Sequence, residues 1–127
     1  MQVQVDYWLR GSEMDWQSAQ RLFASGQDLH WSVFLAHLPC EKALKALLVQ
    51  RTLDYAPYTH NLLRLAEFAG LALSEAQVEL LSAANQFNLR VRYPDEQFEF
   101  YKQCTLDFAS RYLAQIRETR QWFLQQL

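Results

Sequence analysis

Residues Trp31–Leu48 read WSVFLAHLPCEKALKALL, and this segment carries the strongest structural signal in the chain. An apolar pattern of helical period runs through it. At about 100° per residue, Phe34, Leu38, Glu41, Lys45 and Leu48 share one narrow arc. Two charges therefore point to the side that Phe34, Leu38 and Leu48 mark as core. Desolvating an unpaired ion is costly even after the surroundings relax. Glu41 and Lys45 must therefore pair with each other or with another charge, or face a pocket or a partner. Pro39 lies inside the same helix and removes one backbone hydrogen bond, which predicts a bend near Leu35.

On either side of this segment the same period recurs, which predicts an all-α protein. Tyr7, Trp8, Met14, Leu22 and Phe23 mark a first helix from about residue 5 to Gly26, which can serve as its C-terminal cap. Ser12 and Asp15 have the spacing of a capping box within it. A second helix spans Leu29 to Arg51. Asp54 to Thr59, with Pro57, reads as a loop, and Thr59 can cap a short helix from His60 to Ala69 that Gly70 stops. Ser74 and Gln77 form a capping box for a helix with Val78, Leu81, Ala84 and Phe87 on one face. Pro94 forces Tyr93 out of the helical region and breaks the pattern between Asn88 and Asp95. One long helix follows from Glu96 to Gln125, its apolar face carrying Tyr101, Cys104, Phe108, Tyr112 and Ile116. The expected architecture is an up-and-down bundle of four main helices with a short crossover helix and a long C-terminal helix.

Composition narrows the function classes. A chain of 127 residues makes one domain with a sizeable core, and only three Gly and three Pro disfavour a turn-rich sandwich. A net charge of -2 argues against nonspecific grip on a phosphate backbone, leaving only a local basic patch for that role. Cys40 and Cys104 stand apart, without a C-x-x-C pair, and read as core thiols. No segment approaches the length of apolar chain that a membrane span requires, and the N-terminus lacks a basic start followed by an apolar run. The expected location is cytoplasmic.

The order of local motifs resembles the HEPN domain of bacteria and archaea. The motifs are Phe34-Leu35-Ala36-His37-Leu38 leading into Glu41-Lys42-Ala43-Leu44-Lys45-Ala46-Leu47, then Pro57-Tyr58-Thr59-His60-Asn61-Leu62, Phe87-Asn88, Arg92-Tyr93-Pro94-Asp95 and Phe100-Tyr101-Lys102. The similarity covers nearly the whole chain. It implies a helical bundle that dimerises and is often encoded beside a minimal nucleotidyltransferase as a toxin and antitoxin pair. Many relatives are metal-independent ribonucleases whose site is an Arg followed, after four to six residues, by a His. This chain departs from that pattern: the window after Arg90 holds Asp95, Glu96 and Gln97, and the window after Arg92 holds Gln97, Phe98 and Glu99. In relatives the nucleotidyltransferase can modify a Tyr just after the catalytic His. With that His absent, neither Tyr93 nor Tyr101 can be assigned the role.

Cleavage at a 2′-hydroxyl needs a base, an acid and a cation for the phosphorane. His37, His60 and Arg92 are the substitutes this chain offers. His37, Glu41 and Lys45 lie at i, i+4 and i+8, so Glu41 can orient His37 and pair with Lys45. The structural alternative is that His37 is half-exposed and the pair braces the bundle against Arg92 or Asp95. His60 follows Thr59 at a helix start, where the local polar groups can instead satisfy free backbone N–H groups. Arg90, Arg92, Tyr93 and Asp95 gather at the turn opening the last helix, where an anion could rest against Arg90, Arg92 and Lys102. The alternative is a salt bridge from Arg92 to Asp95 or Glu41. His30, beside Asp28, reads as a solvated surface residue. The three histidines have no metal-ligand spacing, and no glycine-rich phosphate loop occurs, so neither a metal nor a cofactor is expected. Trp8, Trp16, Trp31 and Trp122 read as anchors of the core or of a dimer interface.

Three functions remain. One is a non-catalytic module binding a nucleotide, an RNA or a partner nucleotidyltransferase through Glu41, Lys45, Arg90, Arg92, Tyr93, Asp95 and Lys102. The second is a ribonuclease toxin with a non-standard site of His37 or His60 with Arg92. The third is a purely structural homodimer with a sealed ion-pair core.

Overall fold

The structure, a computed structural model, describes all residues from Met1 to Leu127. It is all-α, with α1 Gln2–Ser25, α2 Leu29–Leu35, α3 His37–Thr52, α4 Leu62–Phe68, α5 Glu75–Arg90, α6 Pro94–Gln103 and α7 Leu106–Gln125. The long helices α1, α3, α5 and α7 are the four main members of the expected bundle, and α4 is its short crossover. No helix is long and apolar enough to cross a membrane.

Two elements differ from the sequence-based expectation. The helix containing Pro39 divides at Ala36 into α2 and α3. Pro39 has no N–H for the Leu35 carbonyl, so the ladder is interrupted there and the proline falls in the first turn of α3, where donors have no helical partner anyway. The long C-terminal helix also divides, at Cys104, which leaves helical geometry at ψ 69°. The Thr105 side chain then accepts from the Phe108 N–H at 3.2 Å and starts α7.

Two caps shift as well. Asn61, not Thr59, caps α4, its side chain accepting from the Leu63 and Arg64 N–H groups. Ser12 is no cap. It lies buried in α1 and donates to the Pro39 carbonyl at 2.7 Å, while Arg120 Nε of α7 donates to it at 2.9 Å. The capping box of Ser74 and Gln77 and the left-handed cap at Gly26 (φ 73°) form as expected.

α1 packs most extensively on α3. Gly11 makes one close approach possible, since a Cβ there would lie 3.0 Å from Lys42 Cδ. The Lys42 stem crosses α1 at that point and reaches Asp15 at 2.7 Å. The main core joins Leu44 and Leu47 of α3 with Leu65, Leu81, Phe87, Phe100, Tyr112, Ile116 and Phe123. Burying each such side chain is worth roughly 1.5–3 kcal/mol, and this core fixes α3 as the central element on which the polar site is built. A smaller cluster of Val5, Ala46 and Val49 packs with Trp8 beside it.

Candidate functional site

Glu41 and Lys45 project from α3 as the helical arc requires, and both are buried, at 4% and 6% exposure. Lys45 Nζ donates to Glu41 Oε2 at 3.1 Å and lies 5.1 Å from the centre of the Trp8 ring. The other carboxylate oxygen, Oε1, is 2.8 Å from His60 Nδ1. A carboxylate paired with Lys45 only accepts, so Nδ1 carries the proton and Nε2 of the neutral ring keeps its lone pair. The His60 side chain is 66% exposed. The result is a solvent-facing imidazole whose tautomer and orientation are set by a buried ion pair.

His37 lies beneath this arrangement at 1% exposure. Its Nε2 donates to the His60 carbonyl at 2.8 Å. Nδ1 then holds a lone pair facing Glu41 Oε1 at 3.8 Å and has no hydrogen-bond partner. Burial holds the ring below the usual histidine range despite the nearby Glu41 charge. His37 is therefore neither half-exposed nor free to touch a substrate, and its visible work is to pin the loop ahead of α4 onto α3.

Around His60 the chain assembles amides. Asn61 Oδ1 accepts from Leu63 N at 3.1 Å, Arg64 N at 3.2 Å and Asn85 Nδ2 at 3.0 Å. Asn85 Oδ1 accepts from Leu62 N at 3.1 Å. Asn88 Oδ1 accepts from Arg92 at 3.2 Å. His60, Asn61, Asn85, Asn88 and Leu89 line a hollow of about 160 Å³. Arg92 does not line it but is joined to it through Asn88.

The residues grouped by sequence thus divide. Glu41, Lys45, His37 and His60 form one connected group on α3 and the loop over it, and Arg92 bonds to Asn88 of the neighbouring hollow. Arg92 does not bridge to Glu41 or Asp95. It lies in the turn just past α5 and reaches back four residues to Asn88, while both Glu41 oxygens are already occupied. Arg90 turns the other way, donating to Gln103 at 2.7 Å with its guanidinium 5.3 Å from the Phe100 ring centre. Lys102 lies 3.7 Å from Glu99 and borders a separate hollow with His30, Tyr101 and Thr105. Tyr93 and Asp95 are exposed at the start of α6. His30 is not solvated: at 7% exposure it is covered by Trp31 and Tyr101.

Asn61, Asn85 and Asn88 are the site residues that the sequence reading missed. Their signal was polar spacing, since Asn85 and Asn88 lie three residues apart near the end of α5 and Arg92 follows four residues later in the turn beyond it.

An all-α bundle with a charged Glu and Lys pair buried under a loop histidine defines the class, and the chain matches the HEPN domain over residues 5–127. It belongs to that family. Its fold is similar to the crystal structure of TT1696 from Thermus thermophilus, with a TM-score of 0.79, 23% identity, and coverage of 97% of this chain and 98% of that one. No curated protein matches the chain.

Proposed function

We propose that this HEPN domain is a binding module that takes an RNA or a nucleotide at the face formed by His60, Asn61, Asn85, Asn88 and Arg92 and does not cut it. It works as a homodimer beside a separately encoded nucleotidyltransferase, in a toxin and antitoxin type of pair. One observation carries the reading: His60 is the single imidazole that faces solvent. Metal-independent cleavage needs one group to take the 2′-hydroxyl proton and another to protonate the leaving oxygen, and His37 and His30 are both enclosed. The chain also lacks the Arg and His spacing of the nucleases in the family. The open hollow beside His60 favours a binding role over a sealed structural core.

A second reading has its own support. Glu41 orients His60 as a carboxylate orients a general base, so a ribonuclease built from His60 and Arg92 of two copies is the alternative. Labelled RNA incubated with the purified protein in chelator separates the two. Retention without cleavage, weakened by Arg92→Ala, is the expected result. Cleavage that is lost in His60→Ala would establish the nuclease instead, and growth arrest on expression of the chain alone would accompany it. Neither cleavage nor retention would remove the RNA reading and leave the partner protein as the ligand.

A further inference from the structure

The hollow at His60 has a one-sided hydrogen-bonding inventory. Each of its side-chain oxygen acceptors already takes a donor from the protein: Asn61 Oδ1 takes three, Asn85 Oδ1 takes Leu62 N, Asn88 Oδ1 takes Arg92 and Glu41 takes Lys45 and His60. Several of its donors have no such partner. Asn61 Nδ2 and Asn88 Nδ2 have no protein partner, His60 Nε2 is free, and Arg92, joined to the hollow through Asn88, has further N–H groups unpaired. A site whose carbonyls are occupied and whose amides are open selects a ligand rich in acceptors. At about 160 Å³ the hollow is well below the volume of pockets that enclose whole small molecules. It has room for one compact group, with the rest of the ligand outside.

We propose that this hollow seats a terminal phosphate group, that of a phosphate monoester at a nucleotide or at the end of an RNA. The inference rests on the binding role proposed above and names the group recognised. A monoester phosphate loses its second proton near pH 6, so around neutrality it exists as both monoanion and dianion. His60 Nε2 suits each form. Its lone pair accepts the hydroxyl hydrogen of the monoanion, and as imidazolium it donates to the dianion while Glu41 balances the charge through Nδ1–H. The amides of Asn61 and Asn88 and the Arg92 guanidinium take the other oxygens. An internal phosphodiester has no hydrogen to give and only one charge.

The test is an NMR titration of the full chain, following the His60 ring and the Asn side-chain amides. The probes are inorganic phosphate, AMP, adenosine, and a short oligouridylate with either a 5′-phosphate or a 5′-hydroxyl. Inorganic phosphate, AMP and the 5′-phosphorylated oligomer are expected to shift these signals while adenosine leaves them unchanged. The 5′-phosphate should tighten oligomer binding by about tenfold or more. AMP binding more tightly than inorganic phosphate would assign the site to nucleotides, and equal affinity would assign it to free phosphate; either result supports a phosphate seat. Arg92→Ala, an exposed position, should weaken binding with the fold intact, and Asn88→Asp should abolish it by turning a donor into an acceptor. Equal binding of the two oligomers would overturn the terminal-phosphate assignment and leave RNA binding standing. No binding by any probe would overturn both.

Discussion

His60 Nδ1 and Glu41 Oε1 lie 2.8 Å apart although 19 residues separate them in the chain. The contact ties an exposed loop to the middle of the bundle through a carboxylate that also holds Lys45. Removing one member of a buried charged set strands the others, at a typical cost of about 3–5 kcal/mol. Lys45→Ala should therefore lower unfolding stability in urea by about 3 kcal/mol. The double variant Lys45→Met with Glu41→Gln should lose much less, because no ion is then left without its partner. Equal losses in the single and double variants would show that the pair contributes by packing alone.

Arg120 joins three helices. Its Nε donates to Ser12 at 2.9 Å and its Nη2 to Glu13 at 2.8 Å, while Ser12 donates on to Pro39 O. Arg120→Ala should cost about 2 kcal/mol by leaving Ser12 poorly satisfied and emptying packed space. Arg120→Lys should recover little of it, since an ammonium cannot reproduce the fork. Thermal melts of the two variants check this.

Acid should weaken the fold before the carboxylates titrate. Burial lowers His37, and burial also lowers His30 against the opposing charge of Asp28. Both rings are therefore neutral in the folded chain, while the unfolded chain takes up protons as pH falls through 6.5. Their stabilisation is complete above that value and is lost below it. Urea midpoints measured at about pH 7.5 and about pH 5.5 should differ by on the order of 1 kcal/mol in stability. His37→Gln, whose amide can still donate to the His60 carbonyl, should reduce the difference.

Burial pushes the thiols of Cys40 and Cys104 up to about 12. Native protein should therefore react slowly with iodoacetamide, as followed by intact mass spectrometry, and rapidly once unfolded. Cys104, at 6% exposure against 0% for Cys40, should be labelled first.

The legible parts of this chain were those written in apolar period and in strong breakers. The inward position of Glu41 and Lys45, the bend set by Pro39, the Gly26 cap and the break at Pro94 all follow from local rules that tertiary packing did not override. The division at Cys104 has no Gly or Pro behind it and depends on Phe100 being buried while Thr105 caps α7. His30 read as surface because its cover, Tyr101, comes from a helix 71 positions further along. The site was half visible. Its charges stood out against an apolar face, but asparagines are ordinary at caps and surfaces, and only folding shows that Asn61 and Asn85 meet across two elements. Arg92 stood out as a cation beside the break at Pro94, and its partner is the amide of Asn88, four residues back, not a distant carboxylate.

The Lys45 ammonium 5.1 Å from the Trp8 ring has an optical consequence. A cation held beside an indole shifts and quenches its emission, so Trp8 acts as an internal lamp for the state of the Glu41 network. Anything that pulls His60 off Glu41 frees the carboxylate to draw Lys45 closer and should brighten or recolour that residue. Fluorescence with Trp16, Trp31 and Trp122 replaced by Phe would follow the loop from inside the bundle, without a label.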